Sequence, residues 1–389
     1  MPYSIRIHVT VAGVFFAFGV GIGLWGGGAG GILARAGVDP EAFGAILTAY
    51  TAAYLVAMSA AGALAHRFGV HKVLAATVIA FGASLFALLN ATSEVAVGGA
   101  LIGSGFLGGV VDVTMNAEGA RIERRLGRPI LARLHAAASA GMAIGAILGS
   151  LIVASSAPWA AGIIAVLGLA LAGVAYHRAA RGEAEGATVA LPSTAHGLSF
   201  APALIGLGIV IGVSIAAETA AALWSTLLLR AEAPKLAAIA GLGAAFFSAC
   251  QATLRVNADV IRLRVSDQRI IVGSFAVAAA GFAVVAAEGG FALSVAGFAL
   301  IGIGTGAIVP CSFALAARQS GAQPAVGLSS ASLFSALSRL PAPLATGAIA
   351  QSFSLPVAFA AFALALALAA AGMAAFALRG PKSRPAAKA

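Results

Sequence analysis

The sequence predicts an all-α membrane protein of twelve transmembrane helices in two pseudo-symmetric halves of six. Three observations carry that prediction. Of 389 residues, 61% are hydrophobic and only 9% charged, with mean hydropathy +1.01, whereas a soluble domain is about 25% charged. Apolar runs of about 20 residues, the length that crosses a bilayer, recur twelve times. The longest hydrophilic stretch, Arg178 to Ser199, divides these runs six and six.

The runs fall at 9–33, 43–65, 72–91, 96–118, 132–155, 158–177, 201–229, 234–255, 270–288, 291–316, 327–350 and 355–378. Residues 1–177 then form one six-helix half and 201–379 the other. The stretch 178–200 is a cytoplasmic linker, too short and polar to be a domain, and 380–389 is a cytoplasmic tail. The first run is a full span with no small-residue cleavage site, so it is expected to stay as the first helix. Ten-residue units of alternating polarity are absent, which argues against a β-barrel. Forty-nine glycines suit helices packed backbone to backbone, because lipid offers no hydrophobic push to hold them together.

Charge fixes the expected orientation. Nineteen of the 23 Lys and Arg residues fall on the side shared by the two termini, only Arg35, Arg230 and Lys235 lie opposite, and Arg339 sits inside a helix. By the positive-inside rule both termini are cytoplasmic. The same distribution explains the pI near 10.6 without nucleic acid, since the basic residues occupy short loops rather than a soluble domain. Cys250 and Cys311 lie in apolar segments and read as packing residues, not as a disulfide or metal site.

The stretch Gly103 to Ser139 concentrates the chemistry. An apolar, glycine-laced helix takes on Asp112, Asn116 and Glu118, passes into a loop carrying Arg121, Arg124, Arg125 and Arg128, then re-enters the membrane through Arg133, His135 and Ser139. A carboxylate in a spanning segment costs on the order of 2.5–3.5 kcal/mol, so such residues face a bundle interior or a watery path. Asp112 and Asn116, four apart, share one helix face, with Val110, Val111, Val113 and Met115 expected toward lipid.

Other residues extend the candidate path. Glu218 has no basic neighbour within a turn, and an uncompensated buried carboxylate tends to take up a proton, which makes it the first candidate for proton coupling, with Asp112 and His135 behind it. Arg339, in SALSRLPAP, needs an anionic partner, whether Glu218, Asp112 or a solute carboxylate, and Pro341 and Pro343 break the helix just beyond it. Arg255 and Gln251 close the eighth span, Arg255 as a gate and Gln251 toward the path. Aromatic surface for a solute comes from Trp25, Tyr50, Tyr54 and Trp224. Trp25 lies in the glycine run 19–31, where the helix can unwind, and both tryptophans read equally as interfacial anchors.

The segment Gly62-Ala-Leu-Ala-His66-Arg67-Phe-Gly69-Val-His71-Lys72 resembles the loop between the second and third helices of the major facilitator superfamily. The resemblance implies that family's twelve-helix fold and a gating role for His66 and Arg67. His66 stands where the family carries an acid, and Asp259, beside Arg255 in the corresponding loop of the second half, is expected to supply an equivalent pairing. A narrower likeness, to bacterial permeases grouped near the fucose permeases, rests on Asp112-Val-x-Met115-Asn116-x-x-Gly119, Gly127-Arg128-Pro129, His135-Ala136-x-x-Ser139-x-Gly141 and Glu218 followed by Trp224-Ser225 and Leu229.

The expected function is a secondary active transporter in a bacterial cytoplasmic membrane, a monomer that moves a small organic solute with protons by alternating access. The competing reading is a non-transporting receptor or scaffold on the same fold. Nothing resembles a P-loop, so no nucleotide cofactor is expected. An intramembrane enzyme is disfavoured because His8, His66, His71, His135, His177 and His196 show no metal-ligand spacing.

Overall fold

The computed structural model describes residues 3–127, 130–181, 197–321 and 323–379. Most of the expected linker, the tail from residue 380, Arg128 with Pro129, and the side chain of Asp259 lie outside the described residues.

Fifteen α-helices are described. The first six passes are α1 (Tyr3–Ala36), α2 (Pro40–Phe68), α3 (Val70–Leu89), α4 (Glu94–Leu126), α5 (Leu131–Val153) and α6 (Ala160–Ala180). The seventh is split into α7 (Pro202–Leu223) and α8 (Ser225–Glu232). A 3-10 turn, Pro234–Ile239, leads to α9 (Leu242–Arg262), the eighth, and α10 (Asp267–Ala286) is the ninth. The tenth breaks into α11 (Phe291–Thr305) and α12 (Ile308–Gln319), the eleventh into α13 (Pro324–Arg339) and α14 (Ala342–Ser352), and α15 (Leu355–Arg379) is the twelfth. Among the described residues, ten stretches are long and apolar enough to cross a membrane. The two passes that fall short, α9 and α13 with α14, are those carrying Arg255 and Arg339.

Helix ends follow local chemistry. The Asp39 carboxylate accepts from the Ala42 N–H at 2.8 Å and caps α2, and Ser93 does the same for α4 through Ala96. Between α2 and α3 the chain turns at Gly69, φ 84°, a conformation that side chains with a Cβ avoid. Glu123 accepts from the N–H groups of Ile130 and Leu131 at 2.7 and 3.0 Å, serving the open start of α5.

Several expectations need correction. The fourth helix continues through Arg121, Arg124 and Arg125, which were expected in a loop, because Glu118 and Arg121 pair one turn apart and support its extra turns. The glycine run of α1 does not unwind: the helix is continuous to Ala36. Its glycines serve contact instead. A Cβ on Gly19, Gly23 or Gly27 would stand 1.9, 2.2 and 1.9 Å from the carbonyl oxygens of Ala138, Met142 and Ala146 on α5. Gly141, Gly145 and Gly149 reciprocate against Phe16, Val20 and Leu24, so two backbones meet with no side chain between them. Val110, Val111 and Met115 are buried rather than turned to lipid, since α4 packs against α2, α3 and α1.

The packing repeats. In the first half α1 pairs with α5, α2 with α4, and α3 with α4 and α6; in the second α7 pairs with α13, α9 with α11, and α10 with α11 and α15. The halves meet where α5 crosses α9 and α2 crosses α14. Close approaches at these crossings, Gly44 with Gly347 and Gly241 with Ala146, lie toward the side opposite the chain termini.

Candidate functional site

Four helices bring charge to the middle of the bundle. At about 1.5 Å of rise per residue, Asp112 lies about 27 Å from the start of α4, Arg339 about 22 Å from the start of α13, Glu218 about 24 Å into α7 and Arg255 about 20 Å into α9. Asp112, Arg339 and Glu218 thus lie near the middle of the fourth, eleventh and seventh passes, and Arg255 two turns before the end of the eighth.

On the first-half side the Asp112 carboxylate accepts from Asn116 Nδ2 at 3.0 Å and lies beside Tyr54. Asn116 also donates to the Asp112 carbonyl at 2.9 Å, which aims both side chains to one face. The Tyr50 and Tyr54 rings lie beside each other, 6.2 Å between centroids. Across from them Arg339 ends α13, where Pro341 interrupts the helix. Its charge acts on Tyr50, Tyr54, Asp112 and Glu218.

On the second-half side Glu218 is not uncompensated. Its Oε2 accepts from Arg255 Nη2 at 3.1 Å, and Ser214 donates to Oε1 at 3.4 Å. The cation arrives from α9, 37 residues along the chain. Arg255 therefore does not close its helix as expected: the 3-10 turn after Pro234 delays α9, which runs on to Arg262 and leaves Arg255 two turns inside. Gln251, a turn earlier, is buried and donates to Thr305 Oγ1 at 3.1 Å, at the break between α11 and α12. His135 packs edge-on to Phe15 at 5.5 Å and feels the charge of Arg255. Ser139, one turn on, is buried.

Trp25 and Trp224 are buried, which removes the interfacial-anchor alternative for both. Phe43, not singled out from sequence, joins them, with ring centroids 6.3 Å from Trp25 and 4.7 Å from Trp224. Its spacing from Tyr50 and Tyr54, seven and eleven residues, puts it on their face of α2. Thr226 was also missed: its hydroxyl donates to the Gly26 carbonyl at 3.1 Å and accepts from the Gly30 N–H at 3.3 Å, tying α8 to α1 across the halves.

The gating candidates separate. His66 and Arg67 are exposed at the end of α2, Arg67 lying over the Phe68 ring at 5.2 Å. The buried charge at this end is Glu118, held in a fork by Arg121 with contacts of 2.9 and 2.5 Å, and 3.7 Å from His71 Nδ1. His71 in turn meets the Tyr176 hydroxyl of α6 at 2.7 Å. In the second half the corresponding acid is Asp267, paired with Arg262 at 2.8 Å and with Arg318. The pairing expected of Asp259 falls outside the described residues. Among the described residues no group of three His, Cys, Asp or Glu side chains could hold a metal, and both cysteines are free.

Comparison with known proteins completes the picture. A family model described as the Major Facilitator Superfamily matches residues 9–190. An uncharacterized MFS-type transporter of Yersinia pestis is 27% identical over 93% of this chain and 94% of its own length, and the membrane protein MosC of Rhizobium meliloti 25% over 90% and 85%. Among solved structures, a mutant of the nucleoside transporter NupG superposes with a TM-score of 0.74 at 14% identity, over 94% of this chain and 99% of that one. The human organic anion transporter MFSD10 gives 0.64 at 14%, over 96% and 100%. The chain thus carries the twelve-helix fold of the major facilitator superfamily, the family whose model matches its first half.

Proposed function

We propose that the protein is a secondary active transporter that moves a small organic solute across a bacterial cytoplasmic membrane, alternating access between the halves 1–177 and 201–379 and coupled to protons. The matched family model and the Yersinia pestis relative, a transporter by name, support membrane transport and not enzymatic chemistry. The observation that carries the reading is the placement of opposed charges from both halves at mid-membrane: Asp112 with Tyr54 and Asn116 on one side, Arg339 and the Glu218–Arg255 pair on the other. Ionised groups at this depth are costly and mark pathways. A scaffold on the same fold has no need of them.

The solute path runs from the Trp25, Phe43 and Trp224 rings past Tyr50 and Tyr54 to these charges, with Ser139 and Gln251 at its sides. Coupling is assigned to Asp112 and Glu218, with His135 beside the latter's partner. The positive-inside distribution supports cytoplasmic termini. The motifs at Asp112–Gly119 and His135–Gly141 are the support for grouping the chain near the fucose permeases.

Reconstitution tests the reading. Proteoliposomes holding a solute that stabilises the purified protein are expected to show counterflow, and accumulation when a proton gradient is imposed. Binding without flux would turn the assignment to a receptor.

A further inference from the structure

Arg339 is a half-buried cation whose natural partners are engaged elsewhere. Its Nε is sealed and has no hydrogen-bond partner. Among the described residues the guanidinium makes no hydrogen bond and no ion pair. Asp112 is held by Asn116 beside Tyr54, and Glu218 by Arg255 and Ser214, so both carboxylates reach Arg339 only through their field. A guanidinium stays charged at any physiological pH, and in a membrane it is retained only where something answers its charge. A site that holds one unanswered is shaped for an anion brought in from outside.

We propose that the transported solute is an organic monocarboxylate, received by Arg339 through parallel N–H···O bonds from its two Nη groups, with its apolar body against the Tyr50 and Tyr54 rings. This rests on the transport reading above. The fork geometry of a guanidinium matches a carboxylate edge. A phosphate monoester fits less well, because the site offers one uncommitted cation: Arg255 is already held by Glu218 at 3.1 Å. Charge balance then places the proton. The groups facing Asp112 are Tyr50 and Tyr54 from α2, Asn116 on α4 itself and Arg339 from α13. With the solute anion on Arg339, an ionised Asp112 would leave one negative charge in excess, so Asp112 takes a proton as the carboxylate enters and releases it as the carboxylate leaves.

The test uses full-length protein in lipid nanodiscs and thermal unfolding with paired probes: benzoate and hexanoate against benzamide and hexanamide, with phenyl phosphate as a third arm. The carboxylates are expected to raise the melting temperature and the amides to leave it unchanged. Arg339→Gln should weaken carboxylate binding by about 100-fold, and Arg339→Lys, which keeps the charge and loses the fork, by about 10-fold. Where the glutamine variant does not fold, the lysine variant gives the same reading. Wild-type affinity should fall as pH rises and that of Asp112→Asn should not. Equal stabilisation by the amides, tighter binding of phenyl phosphate, full carboxylate affinity in folded Arg339→Gln, or no stabilisation of the wild type by either carboxylate overturns the proposal. Carboxylate binding without counterflow would overturn the transport reading and leave this receptor standing.

Discussion

Glu218 on α7 and Arg255 on α9 meet at 3.1 Å although 37 residues separate them, and Glu218 has no opposite charge within a turn of its own helix. Each neutralises the other at a depth where an unmatched ion is expensive. Removing one partner should therefore cost more than removing both. In a double-mutant cycle with Glu218→Gln and Arg255→Gln, thermal unfolding in detergent is expected to give a coupling energy of roughly 1–3 kcal/mol. Additive single effects would show that the pair is not maintained in the membrane.

The two acids of the site are expected to differ in transport. Asp112→Asn should keep solute binding and counterflow while uptake stops following a pH gradient, because the amide keeps an oxygen to accept from Asn116 and cannot exchange a proton. Glu218→Gln in the same liposomes separates the carboxylates. Loss of gradient-driven uptake in that variant, with retention in Asp112→Asn, would assign the proton to Glu218.

Close backbone packing predicts opposite responses from two glycines. Gly23→Val places atoms where the Met142 carbonyl stands 2.2 Å from the would-be Cβ, and should cost at least about 3 kcal/mol or abolish monodisperse protein. Gly103→Ala meets nothing within 4 Å in the same kind of helix, and should be neutral or stabilising by up to about 1 kcal/mol. Melting temperatures in detergent decide both.

Thr226 holds α8 to α1 by two hydrogen bonds. Thr226→Val removes both and nearly preserves shape. Spin labels at Ser93→Cys and Glu288→Cys, on loops of opposite halves at the side away from the termini, should show a population of longer distances in the valine variant. An unchanged distribution would mean that the aromatic contacts of Phe43 with Trp25 and Trp224 suffice for closure.

The fold was legible because lipid imposes a length rule: each apolar run near 20 residues had to be a helix, and the basic residues marked which ends lie together. Arg339 was legible for the same reason, as the lone basic residue within a span. The breaks at Trp224 and Gly306 were not, since nothing in an apolar run marks where a helix will turn, whereas Pro341 announced its break by lacking an N–H. The site's pairings were the least legible. Glu218 looked solitary along its own helix because the cation that answers it is set by the rotation of α9, which the delayed start after Pro234 determines. The glycine pattern of α1 was visible, but not its purpose: small residues can mean a weak helix or a close neighbour, and only the neighbour's identity distinguishes them.

One atom sits between these packed surfaces. The Ala146 carbonyl lies 1.9 Å from where Gly27 would carry a Cβ and 2.0 Å from the same point on Gly241, so α1 of its own half and the start of α9 in the other both rest on a single peptide of α5. With α1 and α5 joined so tightly that neither can slide past the other, rocking of the halves reduces there to a hinge on a peptide carbonyl, with the Ser150 hydroxyl, 2.6 Å from the same point on Gly241, as its flanking side chain. Friction in the cycle then belongs to the charged centre and not to the scaffold, and a methyl group added at Gly241 would act as a wedge, biasing the resting state without touching the solute.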